Sequence, residues 1–194
     1  MIKLNVTIDD EDKVFEMPEN WDEVTVGDFM DLFNINREGL SQYQSAVETL
    51  KIFTKMPEEL IYMMSMSDFE QLAKVLEFVT KDVDGELAEY IELGGDKYYL
   101  KKDFSSLTMG EVISIETIVN DAGNNIFKVV DKLLCIFLRK KKENGNLEAF
   151  KGDFMNRVEL FRTAPIGKVY NIFSFFSDGV NSFTNNTVDS LEEK

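Results

Sequence analysis

The sequence predicts a mostly helical α+β fold built from two divergent repeats, each a β-hairpin followed by helices. Three observations predict it. Residues 2–17 and 90–100 read as strand, turn, strand; Ser or Thr stands three residues ahead of an acid or amide at the head of several apolar-periodic runs; and both features recur in the same order in the two halves of the chain.

Residues 2–8 (IKLNVTI) alternate, Asp9-Asp10-Glu11-Asp12 offers turn chemistry, and Val14-Phe15-Glu16-Met17 resumes an extended pattern before Pro18, which together predict the first hairpin. Thr25 then precedes Val26, Phe29, Met30 and Leu32, with Asp28 three residues on, as in a capping box. Ser41 with Gln44, ahead of Val47, Leu50 and Phe53, and Ser67 with Glu70, ahead of Leu72, Val75 and Val79, repeat the signal. Pro57 between them suits a first helical turn, so Glu58 to Met64 is expected to be a short helix.

In the second half, Tyr90-Ile91-Glu92-Leu93, Gly94-Gly95-Asp96 and Tyr98-Tyr99-Leu100 predict a hairpin whose glycines supply positive φ. Thr108 with Glu111 opens a helix through Val112, Ile115 and Ile118, and Asn124 is placed to cap one holding Ile126, Val129, Leu133 and Phe137. Polar Glu143 to Asn146 reads as a loop, Phe154 to Phe161 as a helix, and Val169 to Phe176 as the last helix, with Pro165 near its start. The expected organisation is a first repeat over 1–83, a second over 84–180 and a polar, mobile tail over 181–194.

The repeat is visible residue by residue. Asp12-Lys13-Val14-Phe15 parallels Asp96-Lys97-Tyr98-Tyr99, the stretch from Trp21 to Phe29 parallels Phe104 to Val112, and Leu50-Lys51-Ile52-Phe53 parallels Leu134-Cys135-Ile136-Phe137. The structural anchors expected from it are Trp21, Val24, Thr25 and Gly27 in one copy and Phe104, Leu107, Thr108 and Gly110 in the other. Val24 and Leu107 sit where a hydrophobic staple pins the entry to a helix. Gly in a first turn costs about 1 kcal/mol of helix propensity relative to Ala, so a hairpin strand passing close to Gly27 and Gly110 is expected, a merely tolerated Gly being the alternative.

Composition removes several chemistries from this chain. With no histidine, His-based acid–base catalysis, Ser-His-Asp triads and His-ligated metals are excluded, and one cysteine excludes thiolate clusters. Neither standard glycine-rich phosphate cradle is present. A net charge of −15 argues against binding nucleic acid over a broad face. The acids at 9–12 do not fit a calcium loop, since the sixth position is Val14 and the twelfth Asn20. No catalytic, cofactor-binding or metal-ligating residue is therefore expected, and no cofactor. Cys135, among Leu133, Leu134, Ile136 and Phe137, reads as a buried thiol, and Arg139-Lys140-Lys141-Lys142 as a solvated helix end in preference to a phosphate patch. No apolar run approaches the roughly 20 residues that cross a bilayer and the N-terminus lacks a signal-peptide pattern, so membrane contact is not expected.

The remaining candidates are for interaction. Ile172, Phe173, Phe175 and Phe176 put bulk on more than one helix face, followed by Phe183, and such a helix is either buried on several sides or meets a partner. Met63, Met64 and Met66 offer a second, adaptable surface. Readings of another class stay open: an acidic inhibitor directed at a basic host site, or a hydrolase using two carboxylates that meet in space.

Pro18-x-x-Trp21-Asp22-Glu23-Val24-Thr25-x-Gly27-x-Phe29 after a short hairpin, and Leu50 to Leu60 (LKIFTKMPEEL) followed by Ser67-Asp68-Phe69, resemble small morphogenesis proteins of tailed bacteriophages, in particular tail assembly chaperones. The likeness covers residues 10–80, with a fainter echo over 96–137. It implies a non-enzymatic viral protein of virion or tail assembly in the bacterial host cytoplasm or the virion. Its partners would be other phage structural or assembly proteins. A minor structural or cargo protein, retained in the head or at the portal–tail junction, is the alternative. The doubled architecture departs from the usual single-unit chaperone.

Overall fold

The computed structural model describes residues 1–8, 11–83, 86–123 and 125–176. The expected tail over 181–194, Phe183 within it, and Asp9, Asp10 and Asn124 lie outside them. The chain divides into two compact units, Met1–Asp84 with Pro165–Gly167, and Gly85–Ala164 with Lys168–Lys194.

In the first unit, β1 (Ile2–Ile8) runs antiparallel to β2 (Glu11–Met17) with Ile8 opposite Glu11 and Thr7 opposite Asp12. Glu11 and Asp12 thus extend the ladder and are not turn residues, because a tight register leaves only two residues between the strands. A 3-10 turn at Trp21–Glu23 leads into α1 (Val26–Phe33). Thr25 caps it, its hydroxyl accepting from the Asp28 N–H at 3.1 Å. The Asp28 carboxylate accepts from the Thr25 hydroxyl at 2.8 Å; it does not complete the reciprocal box, for Asp is one methylene shorter than the Glu or Gln that reaches back.

The full box occurs at Ser41 and Gln44, opening α2 (Gln42–Thr54). Pro57 stands at the head of α3 (Glu58–Met63). The next helix, α4 (Met66–Val75), is capped by Ser65 with Asp68. That corrects the Ser67–Glu70 expectation: an equally good Ser-x-x-Asp two residues upstream starts the helix earlier. Trp21 packs edge-on against Phe29 and Phe78, at 5.9 and 5.2 Å, and its indole N–H donates to the Lys81 carbonyl at 3.1 Å. Met17, Val24, Val26, Phe29, Leu50 and Phe53 are buried with them. The late segment Pro165–Gly167 belongs here through a bridge between Thr25 and Pro165 and the Ile166 N–H donating to the Val24 carbonyl at 2.8 Å.

The second unit opens in the same order, a hairpin, a 3-10 turn and a Thr-capped helix. β3 (Tyr90–Leu93) and β4 (Asp96–Leu100) are joined by Gly94 and Gly95 at φ +58° and +82°, the pair of positive values a two-residue hairpin turn needs. A 3-10 turn at Phe104–Ser106 precedes α5 (Met109–Asp121), whose Thr108–Glu111 box is complete. Asn125 caps a 3-10 turn at Ile126–Lys128, and α6 (Val130–Phe137) starts only after it, so one continuous helix from Asn124 is not formed. The chain leaves α6 directly as β5 (Leu138–Arg139), which pairs with β4 and makes this sheet three-stranded. Of the basic run, only Arg139 lies in this strand; it is buried and still reaches back to the Ile136 carbonyl in the last turn of α6, so the helix-end reading holds for its position while the expected solvation fails for Arg139. α7 (Val158–Arg162) follows a 3-10 turn at Phe154–Arg157, and α8 is helical over the described residues 166–176.

The core of the second unit is aromatic. Phe137 stacks flat on Phe176 at 3.5 Å, Phe173 meets Phe127 at 5.6 Å, and Tyr98 stands edge-on to Phe161 at 5.2 Å. Among the described residues no helix is long and apolar enough to cross a membrane.

Candidate functional site

Among the described residues, a buried cluster of charged side chains lies in the second unit, where the Thr108–Glu111 box turns a carboxylate inward at the head of α5. Glu111 is fully buried. It accepts from the Thr108 N–H at 2.6 Å, from the Thr108 hydroxyl at 2.8 Å, from Lys101 Nζ at 3.0 Å, and from the Arg139 guanidinium. Lys101 arrives because it directly follows β4, and Arg139 because β5 pairs beside it. Burial opposes the charge of Glu111, but the Thr108 hydrogen bonds and the Lys101 and Arg139 cations outweigh it and hold the carboxyl at about 2, against 4.5 ordinarily.

The cations are equally committed. Arg139, 5% exposed, donates from Nε and Nη2 to the Ile136 carbonyl at 3.0 and 2.9 Å, and Lys101 donates to the Ser106 carbonyl at 2.8 Å. A groove of about 680 Å³ lies over this cluster, walled by Tyr99, Leu147 and Phe150. Chemically the cluster is a clamp joining β4, β5 and the α5 N-terminus. An anion held at about 2, with its oxygens engaged by four donors, has no proton to give near neutrality and no lone pair waiting for one.

The next two residues of the basic run are also paired. Lys140 meets Asp96, and Lys141 lies 3.8 Å over the Tyr99 ring and 3.9 Å from Glu89. The first unit has a lighter counterpart of the clamp: Lys55, just past α2, pairs with Asp28 at the third position of α1. The sequence reading missed both clamps. The signal was two residues further along its own alignment, since continuing from Phe53 and Phe137 sets Lys55 opposite Arg139.

The interaction candidates separate. Ile172, Phe173 and Phe176 are buried and Phe175 is half-buried, so over the described residues these side chains follow the core alternative of the sequence reading. Met63 is 81% and Met66 49% exposed, beside Tyr62 at 61%, while Met64 is half-buried. Of the anchors, Val24 and Gly27 are buried, Trp21, Thr25 and Leu107 half-buried, Thr108 exposed at its cap, and the Phe104 side chain lies outside the described residues. Gly110 is exposed, and a Cβ there would meet Phe150 only at 3.9 Å, so no hairpin strand passes close to it. Cys135 is buried, and desolvation pushes its thiol up to about 12, as a structural cysteine requires. No group of acids or cysteine among the described residues is placed to hold a metal ion.

No protein-family model, curated protein or solved structure matches the chain.

Proposed function

We propose that this is a non-enzymatic bacteriophage assembly protein, of the tail assembly chaperone kind, that works by holding other phage proteins on its surface. The observation that carries the reading is the exposed apolar surface Tyr62, Met63 and Met66 on α3 and the start of α4. Large apolar groups left in water together mark interaction sites, and methionine adapts its shape to a partner. This surface falls in the stretch from Leu50 to Phe69 whose motif resembles the phage chaperones. The saturated Glu111 clamp supports the same reading, because this group of charges is committed to holding the fold.

Fractionation of phage-infected cells tests it. A chaperone is found with tail proteins in assembly intermediates and is lost from finished particles, and Met63→Ser with Met66→Ser reduces that association without changing the melting temperature. Retention in purified particles supports the alternative, a minor virion protein. Absence from both fractions refutes the assembly reading.

A further inference from the structure

β1 pairs only with β2 among the described residues, which leaves its other edge open. Counting back from the Ile8–Glu11 pair that closes the hairpin, Ile8, Val6, Leu4 and Ile2 exchange backbone hydrogen bonds with β2, so the N–H and C=O groups of Lys3 and Asn5 point outward. A groove of about 470 Å³ runs along this edge. Its lining includes four consecutive strand residues, Lys3 to Val6, where a cavity on one face of a strand would meet only alternate ones. The opposite wall is α4, through Asp68, Gln71 and Leu72, which share one helix face, with Met64 just ahead of them.

Open edges are ordinarily blunted by proline, bulges or several charges. β1 (IKLNVTI) has one charge, no proline and no glycine, so its edge is suited to being covered. With α4 on the side away from β1, a segment added to this edge lies between the strand and the helix. Charge points to the nature of that segment: within the groove Lys3 and Asp68 offset each other, while Glu59 and Glu70 stand on the α3–α4 side and the chain carries a net charge of −15. A second copy would be repelled, whereas a cation-flanked segment would be drawn in.

We propose that β1 is a docking edge, and that an extended segment of a partner protein, apolar at alternate residues and flanked by Lys or Arg, adds to it as a third strand. Outward backbone groups of Lys3 and Asn5 bond it, and its apolar residues continue the face of Leu4 and Val6 toward Met64 and Leu72. This rests on the protein–protein reading above and gives it a recognition mode.

The test uses the full chain and a synthetic peptide with alternating valine and threonine between lysine pairs, set against the same composition interrupted by proline. Hydrogen exchange is read at the Lys3 and Asn5 amides. Both are expected to exchange fast in the free chain and to slow by about tenfold or more with the first peptide only, less so at high salt. Asn5→Pro removes an N–H that the hairpin does not use, so the urea midpoint holds while peptide binding is lost. Gln71→Arg, on the exposed face of α4, opposes the cations and weakens binding without touching the strand. Equal binding of the two peptides, or none, overturns the proposal. So does slow exchange in the free monomer, which means another part of the chain covers the edge, or a doubling of mass abolished by Asn5→Pro, which means a second copy does. If docking fails while the chain still travels with assembly intermediates, only the recognition mode falls; if both fail, the functional reading falls too.

Discussion

Glu111→Gln removes the carboxylate on which Lys101 and Arg139 converge, and the geometry sets the size of the effect. Lowering that carboxyl from 4.5 to about 2 corresponds to about 3 kcal/mol of folding stability at neutral pH. The variant also leaves Arg139, 5% exposed, without its counter-charge, a situation that costs about 3–5 kcal/mol. A loss in that range is expected at pH 7 from urea unfolding followed by far-UV circular dichroism, with Trp21 fluorescence reporting separately on the first unit. Because the folded-state pKa is depressed, the contribution is complete above about 4.5 and disappears as pH falls through about 2. Between pH 7 and pH 3 the gap between wild type and variant should therefore narrow by about 2 kcal/mol. Replacing the whole cluster, as Glu111→Leu with Arg139→Met and Lys101→Met, should recover most of the loss, since no buried charge is then stranded. A single-variant cost below about 1 kcal/mol, with the same gap at both pH values, would refute the clamp.

Gly110→Ala should stabilise the second unit by about 0.5–1 kcal/mol in the same assay, because its φ is ordinary and the added methyl meets Phe150 at a comfortable distance. Gly167→Ala should do the opposite: its Cβ would overlap the Asp22 carboxylate and come within 3.2 Å of the Asp22 backbone nitrogen, for a loss of about 1–3 kcal/mol that Asp22→Ala partly relieves. Cys135 should resist thiol reagents in the native chain and react fully in urea; labelling at the native rate of a free thiol would contradict its burial. Phe176→Ala should cost about 3–5 kcal/mol through the lost stack on Phe137, whereas Met63→Ser should change the melting temperature little, and equal effects would contradict the division between core and surface.

The site was less legible in the sequence than the fold. Thr108 and Glu111 announced a helix start three residues apart, but nothing local said that Lys101 and Arg139 would close on the same carboxylate. Arg139 meets Glu111 across 28 positions, and only because β5 leaves α6 without a loop and pairs with β4. Read alone, Arg139 to Lys142 looks like any basic helix end. In the same way Phe173 and Phe176 show bulk without a direction, and Phe127 and Phe137, which take it up, are more than 30 positions away.

What this sequence determined by itself is whatever a few neighbouring residues can satisfy among themselves: the Ser41 and Thr108 boxes, the Gly94-Gly95 turn, the alternation that makes strands and the order in which these recur. Their energies come from hydrogen bonds and dihedral preferences spanning four residues, so they survive in any context. Tertiary structure decided which apolar surfaces are core and which are exposed, that Arg139 enters a strand beside a buried carboxylate, and that β1 pairs on one side only among the described residues. Those outcomes depend on removing groups from water against partners far along the chain, and burial is a property of the assembled fold that no short stretch of residues carries.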